Sequence, residues 1–303
     1  MQFIQNACLT NLIVSSILTG SNYKPISFSW DLINQHRFRF NKDYNYNDAR
    51  ILLQLSLMVT DSNFTDAQLD IPSWLQDNVL AYNVCPLFTS SGKVSNPLSS
   101  ITSNYHSSPR SKMDSERIGH ILYDKDDNVL VIVFTGTSNA CLAGLDLEYG
   151  QTELDSITNY IEGIRGHQGI FSAYKSIRPQ LTKVIRDYLP KNPQIVITGH
   201  SLGGALSHLC ALDLAFYNPI QYSFASPLIF NPLGSLVYDK YVKYSYRIAN
   251  LVDLVTLSPL PIMPNKDLFC HVGKLVHFQR HLGEYPKNHS LAYAQEYSLT
   301  DII

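Results

Sequence analysis

The stretch Gln194-Ile195-Val196-Ile197-Thr198-Gly199-His200-Ser201-Leu202-Gly203-Gly204-Ala205-Leu206 decides how this chain is read. Residues 194–198 are short, apolar and β-branched, which predicts a buried strand. From Leu202 onward the apolar spacing predicts a helix to about Phe216. Between strand and helix stands the pattern G-x-S-x-G. A side chain at Gly199 or Gly203 would crowd a sharp strand-to-helix turn. Gly204 and Ala205 are small enough to let the helix pack close to the sheet. Such a turn lifts the Ser201 hydroxyl clear of the sheet edge. It also aims the free N–H groups and the dipole of the helix start at the same place, which favours an oxyanion. The pentapeptide alone arises often by chance; the flanking strand and helix supply the signal.

The segments on either side fit the same architecture. Residues 117–123 and 129–134 are apolar runs separated by Asp124-Lys125-Asp126-Asp127-Asn128, which reads as a β-hairpin. The second run is apolar throughout, as a strand covered on both faces should be. Residues 172–189 place Ile177, Leu181, Val184, Ile185 and Tyr188 on one helical face, and residues 221–225 and 244–249 read as further strands. Strands alternating with helices predict an α/β three-layer fold with a mostly parallel central sheet. Near the start, Asn47 or Asp48 is placed to cap a helix carrying Ile51, Leu52, Leu55 and Met58. Residues 88–112, rich in Ser, Asn and Pro, read as a long loop. Residues 1–45 are expected to form an N-terminal extension packed on a domain spanning 46–303.

Composition narrows the partners. The chain has 303 residues, of which 45% are hydrophobic and 16% charged, with a formal net charge of −2. That balance offers no basic face for nucleic acid or for an anionic membrane surface. A partner of lipid character would have to be met through apolar contact. Cys8, Cys85, Cys141, Cys210 and Cys270 are widely spaced and form no C-x-x-C pair, so neither a zinc site nor a dense disulfide framework is expected. No apolar run reaches the length of a membrane span. The segment 7–20 lacks a basic n-region and is diluted by Thr10, Asn11, Ser15 and Ser16, so a soluble protein without a signal peptide is expected, its compartment unassigned.

A serine hydroxyl at neutral pH needs a general base, and the base needs an orienting carboxylate. In this architecture the chain order is Ser, then Asp or Glu, then His. Asp213 lies on the helix after Ser201 and is badly placed. Asp253, in Asn250-Leu251-Val252-Asp253-Leu254-Val255, follows a strand, where such an acid belongs. His208, on that same helix, reads as structural. His289, in Pro286-Lys287-Asn288-His289-Ser290-Leu291, is expected in a loop just before the C-terminal helix. His271 and His281 stay open as alternatives on this reading of the residues alone.

The order of motifs resembles the class 3, fungal-type, lipase family of α/β-hydrolases. The matching stretches are Val133-Phe134-Thr135-Gly136-Thr137, His167-Gln168-Gly169-Ile170-Phe171 with Ala173-Tyr174, and Thr198 to Ala205. They continue with Phe224-Ala225-Ser226-Pro227, Arg247-Ile248-Ala249-Asn250 leading to Asp253 and Pro259, His271-Val272-Gly273, and His289. The resemblance covers about residues 117 to 295. It implies Ser201, Asp253 and His289 as a catalytic triad, His271 as a recurrent non-catalytic position, and the backbone N–H groups of Thr137 and Leu202 as the oxyanion donors. The chain departs from the family at Thr135, where an arginine is usual. It departs again in Ser138-Asn139-Ala140-Cys141-Leu142-Ala143-Gly144-Leu145, which lacks the usual Trp and Asp of the lid.

The implied activity is hydrolysis of acyl esters of lipids, lipase-like or phospholipase A-like, through an acyl-enzyme on Ser201. The expected partner is a lipid or other apolar acyl ester, with transient contact to a lipid interface and none to nucleic acid. No metal or organic cofactor is needed for that route. Residues 138–150, apolar with Gly144 and Gly150 as hinges, are expected to form a movable cover. Two other readings are an inactive lipase-like fold binding lipid or protein, and an acyltransferase using the same triad.

Overall fold

The computed structural model describes residues 30–60, 74–82, 116–136, 150–158, 161–263 and 267–299. Its centre is the strand β3 (Val129–Phe134), whose six side chains are all buried. Successive residues of a strand point to opposite faces. Leu130, Ile132 and Phe134 accordingly join one core, and Val129, Val131 and Val133 join the other. A continuously apolar strand is the result of being covered on both sides.

Around β3 the sheet has seven strands in the order β1-β2-β3-β6-β7-β8-β9. Here β1 is Leu75–Tyr82, β2 is Glu116–Asp124, β6 is Gln194–His200, β7 is Ile220–Phe224, β8 is Tyr244–Asn250 and β9 is Lys274–Phe278. The pairs β1–β2 and β2–β3 are antiparallel. The pairs from β3 through β6, β7 and β8 to β9 are parallel. The expected hairpin is β2–β3, and the sheet is mostly parallel, as expected. A separate two-stranded sheet joins β4 (Gln151–Glu153) to β5 (Arg165–His167). β1, β4 and β5 carried no legible strand pattern.

One face of the sheet is covered by α3 (Gln168–Arg186) and α4 (Leu202–Asp213). The opposite face is covered by α2 (Tyr46–Thr60), by the chain before it, and by the short α6 (Ala292–Glu296). The helix α2 is capped by Asn45, not by Asn47 or Asp48. Asn45 Oδ1 accepts the N–H groups of Asn47 (2.8 Å) and Asp48 (3.2 Å). The Asp48 carboxylate turns back instead to the N–H (2.7 Å) and the Nδ2 (3.0 Å) of Asn41.

The chain enters the described structure at Trp30, and residues 30–45 pack on the domain. The short helix α1 (Asp31–His36) buries Ile33, and Phe38 and Phe40 follow it into the same core. Gln194 Nε2 donates to Phe40 O (2.9 Å), the Tyr246 hydroxyl donates to Lys42 O (2.6 Å), and the Tyr222 hydroxyl accepts from Asn45 N–H (3.1 Å). The Gln194 amide thus ties residues 30–45 to β6, and two tyrosine hydroxyls tie them to β7 and β8 through backbone atoms that a Phe could not satisfy. α5 (Pro232–Tyr241), which the sequence pattern did not reveal, lies on the other face, where Tyr238 joins the core beneath α3 and α4, and sits beside β5. Among the described residues no helix is long and apolar enough to cross a membrane.

Candidate active site

Ser201 sits between β6 and α4 with φ +60° and ψ −124°, a backbone region that side-chain-bearing residues rarely adopt. The turn closes because its neighbours have no side chains. A Cβ on Gly199 would lie 2.2 Å from Gly203 O, and one on Gly203 would lie 2.4 Å from Phe134 O. Ser201 N–H donates to Phe224 O (2.9 Å), which fastens the turn to the end of β7. Leu202 is the first residue of α4, so its N–H has no acceptor within the helix.

Asp253 lies just past β8, at the start of a short 3₁₀ turn, Leu254–Leu257, and its Oδ1 accepts Val255 N–H (3.0 Å). Its Oδ2 is 2.9 Å from His289 Nδ1, and His289 Nε2 is 2.9 Å from Ser201 Oγ. Serine, histidine and aspartate therefore form one hydrogen-bonded chain, each group buried. His289 is not in a loop, as expected, but in a π-helical turn, Lys287–Leu291, that runs directly into α6. Nothing between Pro286 and Glu296 breaks a helix, so the turn continues instead of looping.

That turn is held from three sides. His200 Nε2–H donates to His289 O (2.8 Å). Burial, with the nearby His289 adding to it, pushes His200 down to about 3, so its ring is neutral and acts here as a donor. The Asn250 amide donates to Asn288 O (3.0 Å) and Arg280 O (2.9 Å), while Asn288 Oδ1 accepts Leu282 N–H (2.8 Å). Tyr293, one turn beyond His289, donates its hydroxyl to Asp253 Oδ2 (3.0 Å). Sequence reasoning singled out none of His200, Asn250, Asn288 or Tyr293 for this role; the one available signal was the spacing of Tyr293 four residues after His289.

The alternatives lie elsewhere. Asp213 is held by Arg178 (2.7 and 2.8 Å) and the Tyr174 hydroxyl (2.8 Å). His208 is buried between Tyr238 and Ser223. His271 Nε2 donates to Thr256 O (2.7 Å), and burial pushes it down to about 4. His281 is exposed. Thr137 and nearly all of the expected cover, residues 138–149, lie outside the described residues. Of the oxyanion loop the structure describes Gly136, whose N–H is already taken by Thr60 Oγ1 (2.8 Å). Among the described residues no group of three or more His, Cys, Asp or Glu side chains is gathered as metal ligands would be.

Residues 131–263 match the family model described as Lipase (class 3). Over those residues the chain is similar to the class 3 lipase family. It is 25% identical over 154 residues to the secreted mono- and diacylglycerol lipase A of Penicillium cyclopium, covering 48% of each chain. It is 31% identical over 158 residues to a lipase of Rhizomucor miehei, covering 49% of this chain and 41% of that one. The aligned stretches span half or less of the length of these curated relatives. The crystal structure of the mono- and diacylglycerol lipase of Aspergillus oryzae is 22% identical, with a TM-score of 0.47, over 59% of this chain and 63% of that one. The class 3 family match spans β3 to the acid-bearing turn and includes Ser201 and Asp253; His289 lies beyond it.

Proposed function

We propose that this protein is a serine carboxylic-ester hydrolase that cleaves acyl esters of lipids through an acyl-enzyme on Ser201. One observation carries the reading: Ser201 Oγ, His289 and Asp253 are joined in series at 2.9 Å per step. His289 Nε2 takes the Ser201 proton as the hydroxyl oxygen attacks the ester carbonyl. His289 Nδ1–H stays bonded to Asp253, which holds the productive tautomer and stabilises the imidazolium. The imidazolium then protonates the departing alcohol. Water, deprotonated by the same histidine, hydrolyses the acyl-enzyme and restores Ser201.

The Leu202 N–H, at the start of α4, is one donor to the oxyanion. Thr137 N–H is the second in this reading. The use of Gly136 N–H by Thr60 leaves the next residue of the loop to supply it. A lipid-like substrate is favoured by the turn that carries Asp253. Leu251, Leu254, Leu257, Leu260 and Ile262 are all exposed there, an apolar rim beside the reacting groups and a surface for transient contact with a lipid interface. The relatives named as mono- and diacylglycerol lipases point to the same class.

The test has two parts. A fluorophosphonate probe should label the wild type and not Ser201→Ala. A panel running from short nitrophenyl esters to diacylglycerols and phospholipids, with products read by mass spectrometry, should give free carboxylic acid. Labelling that persists in Ser201→Ala sinks the assignment. Acyl transfer to added alcohol in place of acid would make the protein an acyltransferase, and a labelled but inactive protein would leave a binding module.

A further inference from the structure

Asp253 Oδ2 receives two donors, not one. His289 Nδ1–H approaches it at 2.9 Å and the Tyr293 hydroxyl at 3.0 Å. The Tyr293 oxygen accepts in turn from the Asn250 backbone N–H at 2.9 Å. Tyr293 is fully buried, and its ring is wedged edge-on against His200 (5.7 Å between centroids) and Phe278 (5.0 Å). It is thus fixed in place by packing and by one hydrogen bond, and its single remaining polar act is to donate to Asp253. Resting on the reading of Ser201, His289 and Asp253 given above, we infer that Tyr293 is a positioning residue for the reaction: it locks the Asp253 carboxylate in the plane of His289 and draws off part of the charge that the carboxylate offers to the imidazole.

The chemistry follows from sharing one oxygen. A carboxylate oxygen that already accepts a strong O–H bond is a weaker partner for a second donor. Burial, reinforced by the negative charge of Asp253, holds the Tyr293 hydroxyl well above the usual tyrosine range, so it stays a donor. The other groups facing the pair are the neutral His200 at the end of β6, His289 itself, and Arg247 on β8, whose positive charge reaches the Tyr293 hydroxyl. None of these replaces the donor that Tyr293 supplies to Asp253 Oδ2.

Tyr293→Phe keeps the ring and removes only the donor. With a soluble ester, kcat should fall about tenfold at unchanged KM, the loss of one charge-assisted hydrogen bond. The acid limb of kcat/KM should move to higher pH, because the unshared carboxylate stabilises the protonated His289. Replacing Tyr293 with 3,5-difluorotyrosine, which donates more strongly, should move the limb the opposite way; that arm stands even where the Phe variant does not fold. In an Asp253→Asn background, Tyr293→Phe should cost nothing more. An unmoved limb in both Tyr293 variants, or a full additive loss with Asp253→Asn, overturns the inference. His289→Ala separates this from the parent reading. Wild-type turnover in His289→Ala defeats the reading of the site itself, whereas an inactive His289→Ala beside an unmoved Tyr293→Phe removes only the role of Tyr293.

Discussion

The turn that carries Ser201 and the turn that carries His289 meet where His289 Nε2 reaches Ser201 Oγ (2.9 Å) and His200 donates to His289 O (2.8 Å), but they are built in opposite ways. The serine turn is specified by its own sequence. Gly199 and Gly203 are required because backbone atoms occupy the space their side chains would fill. The histidine turn has no such local grammar. It is positioned by His200 and Asn250, which are distant in sequence, and it bears on Asp253 through Tyr293. Steric exclusion is local and absolute, whereas hydrogen bonding is distributed and graded. The two turns should therefore fail differently.

The largest expected effect is at the serine turn. Gly199→Ala sets a Cβ 2.2 Å from the Gly203 carbonyl oxygen, and neither backbone can withdraw without undoing the β6–α4 junction. The variant should lose more than about 3 kcal/mol and yield little folded protein. The matching change beside the histidine turn is Gly283→Ala. Gly283 has φ +80° but nothing within 4 Å of a new Cβ, so only backbone strain of about 1 kcal/mol is expected. Chemical denaturation of both variants makes the comparison. Equal losses would break the contrast between the two turns.

The same contrast explains what was legible in the sequence. Gly199 to Leu206 announced strand, turn and helix because every requirement lies within a few residues. β3 announced itself by being apolar at every position. Asp253 was legible as the first acid after a strand. The π-turn around His289 was misread as a loop because its regularity rests on partners at positions 200, 250 and 282, which no local pattern connects. How residues 30–45 attach was illegible for a related reason. Their attachment is made by tyrosine hydroxyls to backbone atoms, and that leaves no periodic trace.

A second prediction concerns acid. Burial pushes His200 and His167 down to about 3 and His271 down to about 4, from an ordinary value of 6.5. Each is neutral in the folded state where the unfolded chain already binds a proton. Stability should therefore be independent of these groups above pH 6.5 and fall as the pH drops from 6.5 toward 4, by up to roughly 1.4 kcal/mol per unit for each histidine. Denaturant midpoints measured from pH 8 to pH 4 give the slope. His167→Asn should lessen it, since asparagine can take over the cap that His167 Nδ1 provides to Ile170 N–H and carries no titrating group. A flat midpoint over that range would mean that protons reach these histidines in the folded state.

The smallest effect expected is at His271, and it sharpens the assignment of His289. Both histidines are tied to the turn that carries Asp253, but at different points. His289 contacts the carboxylate, whereas His271 Nε2 donates to the carbonyl of Thr256, whose own hydroxyl donates to Asp253 O (2.8 Å). His271 thus steadies the backbone of the acid turn and does not touch Ser201. His271→Ala leaves one carbonyl without its donor and opens a small void, a loss of about 1–3 kcal/mol in stability. Its effect on kcat should stay within about tenfold, because Val255 N–H and His289 still hold the carboxylate. His289→Ala, by contrast, removes the base and should lower kcat by several orders of magnitude, with a stability loss of the same order as His271→Ala because a buried hydrogen bond to Asp253 goes with it. The two variants, measured side by side for turnover and for denaturant midpoint, should be weakened alike but differ in turnover by orders of magnitude: His289→Ala inactive, His271→Ala active. The reverse pattern would transfer the base to His271 and detach the π-turn from the chemistry.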